Sequence, residues 1–304
     1  MQIAGILLQQ IVIMFVFMLA GVLLYRTHKI TQHGSKEIGS LLLYLVIPVV
    51  IIKSFCKEPT AELVEGLGVS LCLSLLSLIL AMLISYLLYG RKYPLDNFAA
   101  SFSNAGFIGI PLVQAAIGSE AVFYIASYIA MLNILQWTYG LFVMTGNKDV
   151  IQLKGLLRHP IVISVMIGFL VFCFHIPIPE IGTIMLTSIA NLNTPLAMIV
   201  SGVYLAQVQL IDLFCNLRLL GSSMVRLILI PILNIAVLWL FPTIPVTIRL
   251  AILIAASAPV GSNIAIFASL YGADDIYSVK TVCLSTLLSL ITLPPIIMAA
   301  TQIF

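Results

Sequence analysis

The chain has 304 residues, 62% of them hydrophobic and 8% charged, with a formal net charge of +3. A soluble domain carries about 25% charged residues, so this chain cannot cover itself with a polar surface; a water-soluble enzyme, a nucleic-acid binder and a disordered protein are excluded. Its mean hydropathy of +1.18 makes membrane lipid its surroundings.

About 20 apolar residues are needed to cross the hydrocarbon core as a helix. Unpaired backbone is not tolerated there, so such runs are expected to be helical. In chain order they lie near 4–25, 38–56, 64–89, 97–117, 121–145, 160–176, 181–206, 218–241, 246–271 and 276–301, and the sixth is the shortest. The first has no basic stretch before it and is too long for a cleaved leader. Five scattered cysteines, at 56, 72, 173, 215 and 283, have neither disulfide nor metal spacing and read as packing.

The connections set the expected orientation. Odd-numbered ones hold eleven Lys and Arg and even-numbered ones hold three, Lys53, Lys57 and Arg249. Cationic loops stay in the cytoplasm, which places both termini outside a multi-pass protein of the cell (inner or plasma) membrane. Ten spans divide into 1–146 and 159–304, joined by a basic linker over 147–158 that is expected to be cytoplasmic. Five is odd, so the second half enters from the opposite side. The expected fold is all-α and integral to the membrane, with ten transmembrane helices in two inverted five-helix repeats.

Matched irregularities support that division. Span 2 carries Pro48 and span 7 carries Pro195. Span 4 contains Ser103-Asn-Ala-Gly-Phe-Ile-Gly-Ile-Pro111, and span 9 contains Ala256-Ser-Ala-Pro-Val-Gly-Ser-Asn263. Glycine and proline interruptions at corresponding places in two halves point to a transport site. Proline is tolerated at the first position of a helix, so Pro111 and Pro259 are expected to begin the second halves of broken spans. Two helix N-termini would then face mid-membrane, each with about half a positive charge and free N–H groups, a setting for an anion and above all for a carboxylate. Gly106, Gly109, Gly261 and Ser262 belong to these clusters. Asn104 and Asn263 either cap the breaks or contact the substrate, and one residue can do both.

The stretch Asn104–Ala121, the following Tyr124–Gly140, the Asn193–Gly202 segment and Ala256–Gly272 resemble the auxin efflux carrier family. The compact linker is similar to that of bacterial members called malate permeases. The resemblance implies that spans 4 and 9 break at prolines and cross, beside a scaffold domain, and that an organic anion is moved. It also implies that Asn104 and Asn263 contact the substrate carboxylate, and that any homodimer face lies on spans 2 and 7.

No resident cofactor is expected; sodium or a proton remains open as coupling ion. All eleven acids fall at span ends or in connections, which argues against a buried proton-carrying carboxylate. The acidic and glutamine ligands expected in a bile acid symporter are missing from Ala256–Asn263, yet a sodium-coupled organic anion symporter of that type stays as the alternative. A membrane-embedded enzyme would need a nucleophile–base pair or a metal set, and no such motif occurs. Lys280 and Arg226 lie within spans; each either reaches back to the cytoplasmic interface or draws anions into an inner vestibule. The small residues Ser70, Ser74, Ser77, Ala81 and Ser85 are expected to pack helices closely. Asn133, Gln136 and Gly140 share a face that either joins helices or lines a cavity, as do Thr281, Ser285, Ser289 and Thr292.

Overall fold

The computed structural model describes residues 2–147 and 158–304, so the linker expected over 147–158 lies almost entirely outside the described residues. The described residues are helical, with one isolated β-bridge. The helices are α1 (Gln2–Arg26), α2 (Gln32–Phe55), α3 (Ala61–Tyr89), α4 (Pro94–Ser101), α5 (Ala105–Ala116), α6 (Ser119–Thr145) and α7 (Pro160–Cys173). After them come α8 (Glu180–Ala206), α9 (Leu210–Cys215), α10 (Leu217–Trp239), α11 (Val246–Ser257), α12 (Asn263–Tyr271) and α13 (Asp275–Ile303).

Among the described residues, seven helices are long and apolar enough to cross a membrane. They are α1, α2, α3, α6, α8, α10 and α13, each overlapping a run expected to span. The expected sixth span carries only the 14-residue α7. The fourth and ninth runs each hold two shorter helices, α4 and α5, and α11 and α12.

Local chemistry sets the helix starts. Thr31, Thr60, Asn216 and Asp274 each accept a bond from a backbone N–H in the first turn of α2, α3, α10 and α13, satisfying donors that a helix start leaves unpaired. Pro94 and Pro160 open α4 and α7, where a missing N–H costs nothing. Other prolines sit deeper, among them Pro195 in α8 and Pro294 and Pro295 in α13. Pro48, Pro111 and Pro231 each follow a π-type turn by two residues, over Leu42–Val46, Ala105–Gly109 and Val225–Leu229. A proline ring clashes with the carbonyl four residues back, and widening the preceding turn makes room for it.

Packing distinguishes lipid-facing from buried surfaces. On α1, Leu8, Val12, Val16, Leu19 and Leu23 are exposed while Ile11, Met14 and Met18 are buried, as a helix in lipid requires. The buried face of α1 meets α8 at two glycines. A Cβ on Gly21 would run into the Ile199 carbonyl, and one on Gly202 into the Met18 carbonyl, so the backbones touch there. The small-residue face of α3 is buried, and Ser70 and Ser127 share a hydroxyl–hydroxyl bond of 2.9 Å with α6. Helix α2 packs on α7, α3 on α6, and α10 on α13. Between these layers lie α4, α5, α11 and α12, with α11 buried from Ile248 to Ser257.

Candidate functional site

Helix α4 stops at Ser101, and Phe102, Ser103 and Asn104 are non-helical before α5 begins. Helix α11 likewise stops at Ser257, and residues 258–262 precede α12. The two non-helical stretches pair antiparallel at Ser103 and Val260. The Asn104 N–H donates to the Pro259 carbonyl at 2.7 Å, and the Gly261 N–H donates to the Phe102 carbonyl at 3.1 Å. A third bond comes from the Val260 N–H to Ser285 Oγ on α13, 3.1 Å. Backbone freed by interrupting a helix in lipid must find partners, and here each stretch supplies them for the other. Gly261 is required by this approach, because a Cβ there would lie 3.0 Å from the Ser103 carbonyl oxygen.

The prolines hold positions other than those expected. Pro111 does not begin a half-helix: the helix restarts at Ala105, and Pro111 lies buried inside α5 behind its widened turn. Pro259 lies within the non-helical stretch, and α12 starts at Asn263. Gly106 and Gly109 serve packing. A Cβ on Gly106 would sit 3.2 Å from Ile47, and one on Gly109 would sit 3.6 Å from the Ala255 Cα of α11.

Asn104 is nearly buried and caps α5, its Oδ1 accepting from the Phe107 N–H at 3.3 Å. Asn263 donates from Nδ2 to Gln136 Oε1 on α6 at 2.9 Å. Ser262 precedes α12 without a side-chain cap bond. Gln136 is fully buried, and its Nε2 has no partner; that atom lies 3.6 Å from where a Cβ on Gly261 would stand. Asn193 of α8 donates to the Gly106 carbonyl at 3.4 Å and leaves its Oδ1 buried and unpaired, and Ser257 Oγ is unpaired as well. Unpaired buried amides and hydroxyls are costly, and three of them gather around the paired stretches.

Arg226 is in neither of the settings expected for it. It is fully buried, with its guanidinium bonded to backbone. Its Nε donates to the Ala258 carbonyl at 3.1 Å, and Nη1 to Ala100 at 3.0 Å and Ser101 at 3.4 Å. Nη2 donates to Ala256. The guanidinium therefore caps the C-termini of α4 and α11 together, where the helix dipole favours a cation. Lys280 reaches Asp212 at 2.9 Å near the surface, so its charge is already paired.

One acid at a span end is nonetheless buried. Asp96 on α4 is fully buried, bonded to the Arg218 guanidinium and, at 2.5 Å, accepting from the Tyr277 hydroxyl. Sequence position at a span end did not reveal that α10 and α13 would cover it. Gln136 and Ser285 were visible only as polar members of helix faces, and Gln136 meets Asn263 across 127 residues of chain.

A family model described as Membrane transport protein matches residues 6–153 and 149–297, nearly the whole chain. The chain belongs to this auxin efflux carrier-type family. The chain is also 23% identical over 290 residues to a protein of Rhizobium meliloti (strain 1021) named "Putative malonate transporter", with 88% of each chain covered. Together with the seven long apolar helices, the family makes this a multi-pass membrane protein of the transport class.

Proposed function

We propose that this family member is a secondary transporter moving a small organic anion, a malate-, malonate- or auxin-like carboxylate, by alternating access where residues 102–104 meet 258–262. The observation that carries the reading is the Gln136 amide. Its oxygen is held by Asn263, while its Nε2 is buried without a partner beside Gly261. A carboxylate beside the N-terminus of α12 would satisfy that donor and the free N–H groups of the helix end. Asn104, Ser262 and Asn263 border the same place, as do Gly106, Gly109, Pro111 and Pro259 through the shape of the backbone. The relative's malonate-transporter name agrees with a carboxylate cargo, and the reading is of a transporter rather than an enzyme.

In this reading ten spans form two inverted repeats, 1–146 and 159–304, joined by a cytoplasmic linker over 147–158. Helices α4–α5 and α11–α12 are then the broken spans 4 and 9, crossing at mid-membrane, and both termini lie outside the cell membrane. The packing supports this. Span 1 lies on span 7 as α1 on α8, and span 6 lies on span 2 as α7 on α2. Exchanging the two halves turns one pair into the other. A homodimer through spans 2 and 7 enters on the family resemblance.

The test is transport of labelled malonate by the reconstituted full-length protein. Gln136→Glu keeps the acceptor for Asn263 but puts a carboxylate where the free amide N–H was, and Asn263→Asp likewise adds negative charge beside the anion. Charge-assisted bonds contribute about 1.5–3 kcal/mol, so each variant should fold and bind roughly ten- to a hundredfold more weakly. Parental affinity in both variants would remove the substrate from this place. The same assay with sodium or proton gradients separates an uncoupled carrier from a sodium-coupled symporter of the bile acid type.

A further inference from the structure

A second group of cations lies at the other end of the molecule from Asp96 and Arg218. Lys57 precedes α3 and Asp96 follows it, and a helix of 29 residues spans about 43 Å. Lys53, in the last turn of α2, and Lys57 both line two adjoining cavities, of about 260 and 150 Å³. The larger is bounded by His175 and Thr183, between α7 and the start of α8. The smaller is bounded by Ser54, Ser119 and Gln114. Gln114 lies on α5, ten residues beyond Asn104, or about 15 Å along the helix axis. The cavities thus stand one short helix away from the paired stretches.

The lysines are not spent on carboxylates. Among the described residues, Lys53 and Lys57 have no carboxylate within ion-pair distance. Glu58 instead faces His175 at 4.0 Å. Glu120 receives Lys57 Nζ on its backbone carbonyl, at 3.1 Å, and its carboxylate is the nearby negative charge that partly supports the ammonium. Lys57 also lies over the Phe123 ring, 5.6 Å from its centre. Burial holds the Lys57 ammonium below the usual lysine range, and the Glu120 carboxylate acts against that shift.

We propose that Lys53 and Lys57 form a capture site for a small dicarboxylate, which loads the anion before it reaches the paired stretches at Asn104 and Gly261. The proposal rests on the organic-anion reading above for its ligand class. Two ammonium groups on one cavity wall suit two carboxylates; Glu58 and Glu120 also line these cavities, with Glu58 turned to His175, so the attraction for an anionic substrate is local to the lysine wall. A phosphate of a lipid headgroup offers the same anionic chemistry, so the test keeps the two sources apart.

Full-length protein in phosphatidylcholine vesicles is labelled with a water-soluble amine reagent and read by mass spectrometry. Malonate should protect Lys53 and Lys57 severalfold, neutral malonamide should not, and exposed Lys36 should label equally throughout. Unchanged labelling with malonate overturns the proposal, and so does protection given by added anionic lipid but not by malonate. In transport, the double variant Lys53→Gln/Lys57→Gln should raise KM about tenfold at retained maximal rate and lose salt sensitivity; Lys53→Arg/Lys57→Arg should restore both. An unchanged KM sinks the capture site. Lysine protection without any transport would sink the transport reading and leave the capture site standing; transport that fails in Asn263→Asp while the lysines stay unprotected does the reverse.

Discussion

Arg226 organises the site more than any other single residue. It meets four carbonyls from two helix ends, Ala100 and Ser101 on one side and Ala256 and Ala258 on the other. A planar guanidinium with five donors can do this, whereas a lysine ammonium offers three donors from one point. Replacing Arg226 by Met should strand several buried carbonyls, at about 1–3 kcal/mol for each left unpaired. Arg226→Lys should recover only part of that loss. Thermal unfolding in detergent, read on intrinsic fluorescence, should order the three proteins as parent, Lys and Met. A Met variant as stable as the parent would show that the carbonyls find other partners. Arg226 was legible in the sequence as an unusual charge within a span, but its partners, up to 126 residues away, were not.

At the scale of elements, hydrophobic run length placed the ends of the seven long apolar helices to within six residues, because lipid imposes one length and one backbone solution. The interruptions were legible as clusters but not in register. Proline was expected to mark the restart of each helix, yet Pro111 lies six residues after the restart at Ala105, behind a widened turn. Nothing in the residues from Phe102 to Asn104 forbids helix. They leave the helix where the partner stretch at 258–262 offers hydrogen bonds in exchange, a tertiary cause with no local signature. The α1–α8 contact is another such case, since its glycines look like any others in a membrane span. Gly202→Val should push the two backbones apart, because its Cβ would meet the Met18 carbonyl. Overpacking of this kind costs about 1–3 kcal/mol or more. The expected result is a lower melting temperature, whereas Gly221→Val, with open space at its Cβ, should leave it unchanged. Equal melting temperatures for the two variants would mean that the α1–α8 contact yields without cost.

At the scale of the whole molecule, the absence of acids from the middle of the spans was legible in the sequence, while the burial of Asp96 depended on which helices pack over it. The fixed charge of Arg226 has a further consequence, which is electrical. Arg226 is held by backbone dipoles, and among the described residues no carboxylate contacts the paired stretches. An arginine does not release its proton under ordinary conditions, so on the transport reading proposed above the empty site keeps one charge state through the cycle. The loaded site differs from it by the full charge of the cargo. Moving one elementary charge across the membrane involves about 2.3 kcal/mol of work per 100 mV, and a dianion doubles that. In vesicles with an imposed potassium diffusion potential, dianion flux should therefore respond to voltage about twice as steeply, on a logarithmic scale, as monoanion flux. Flux indifferent to voltage would mean that a cation travels with the anion and cancels its charge.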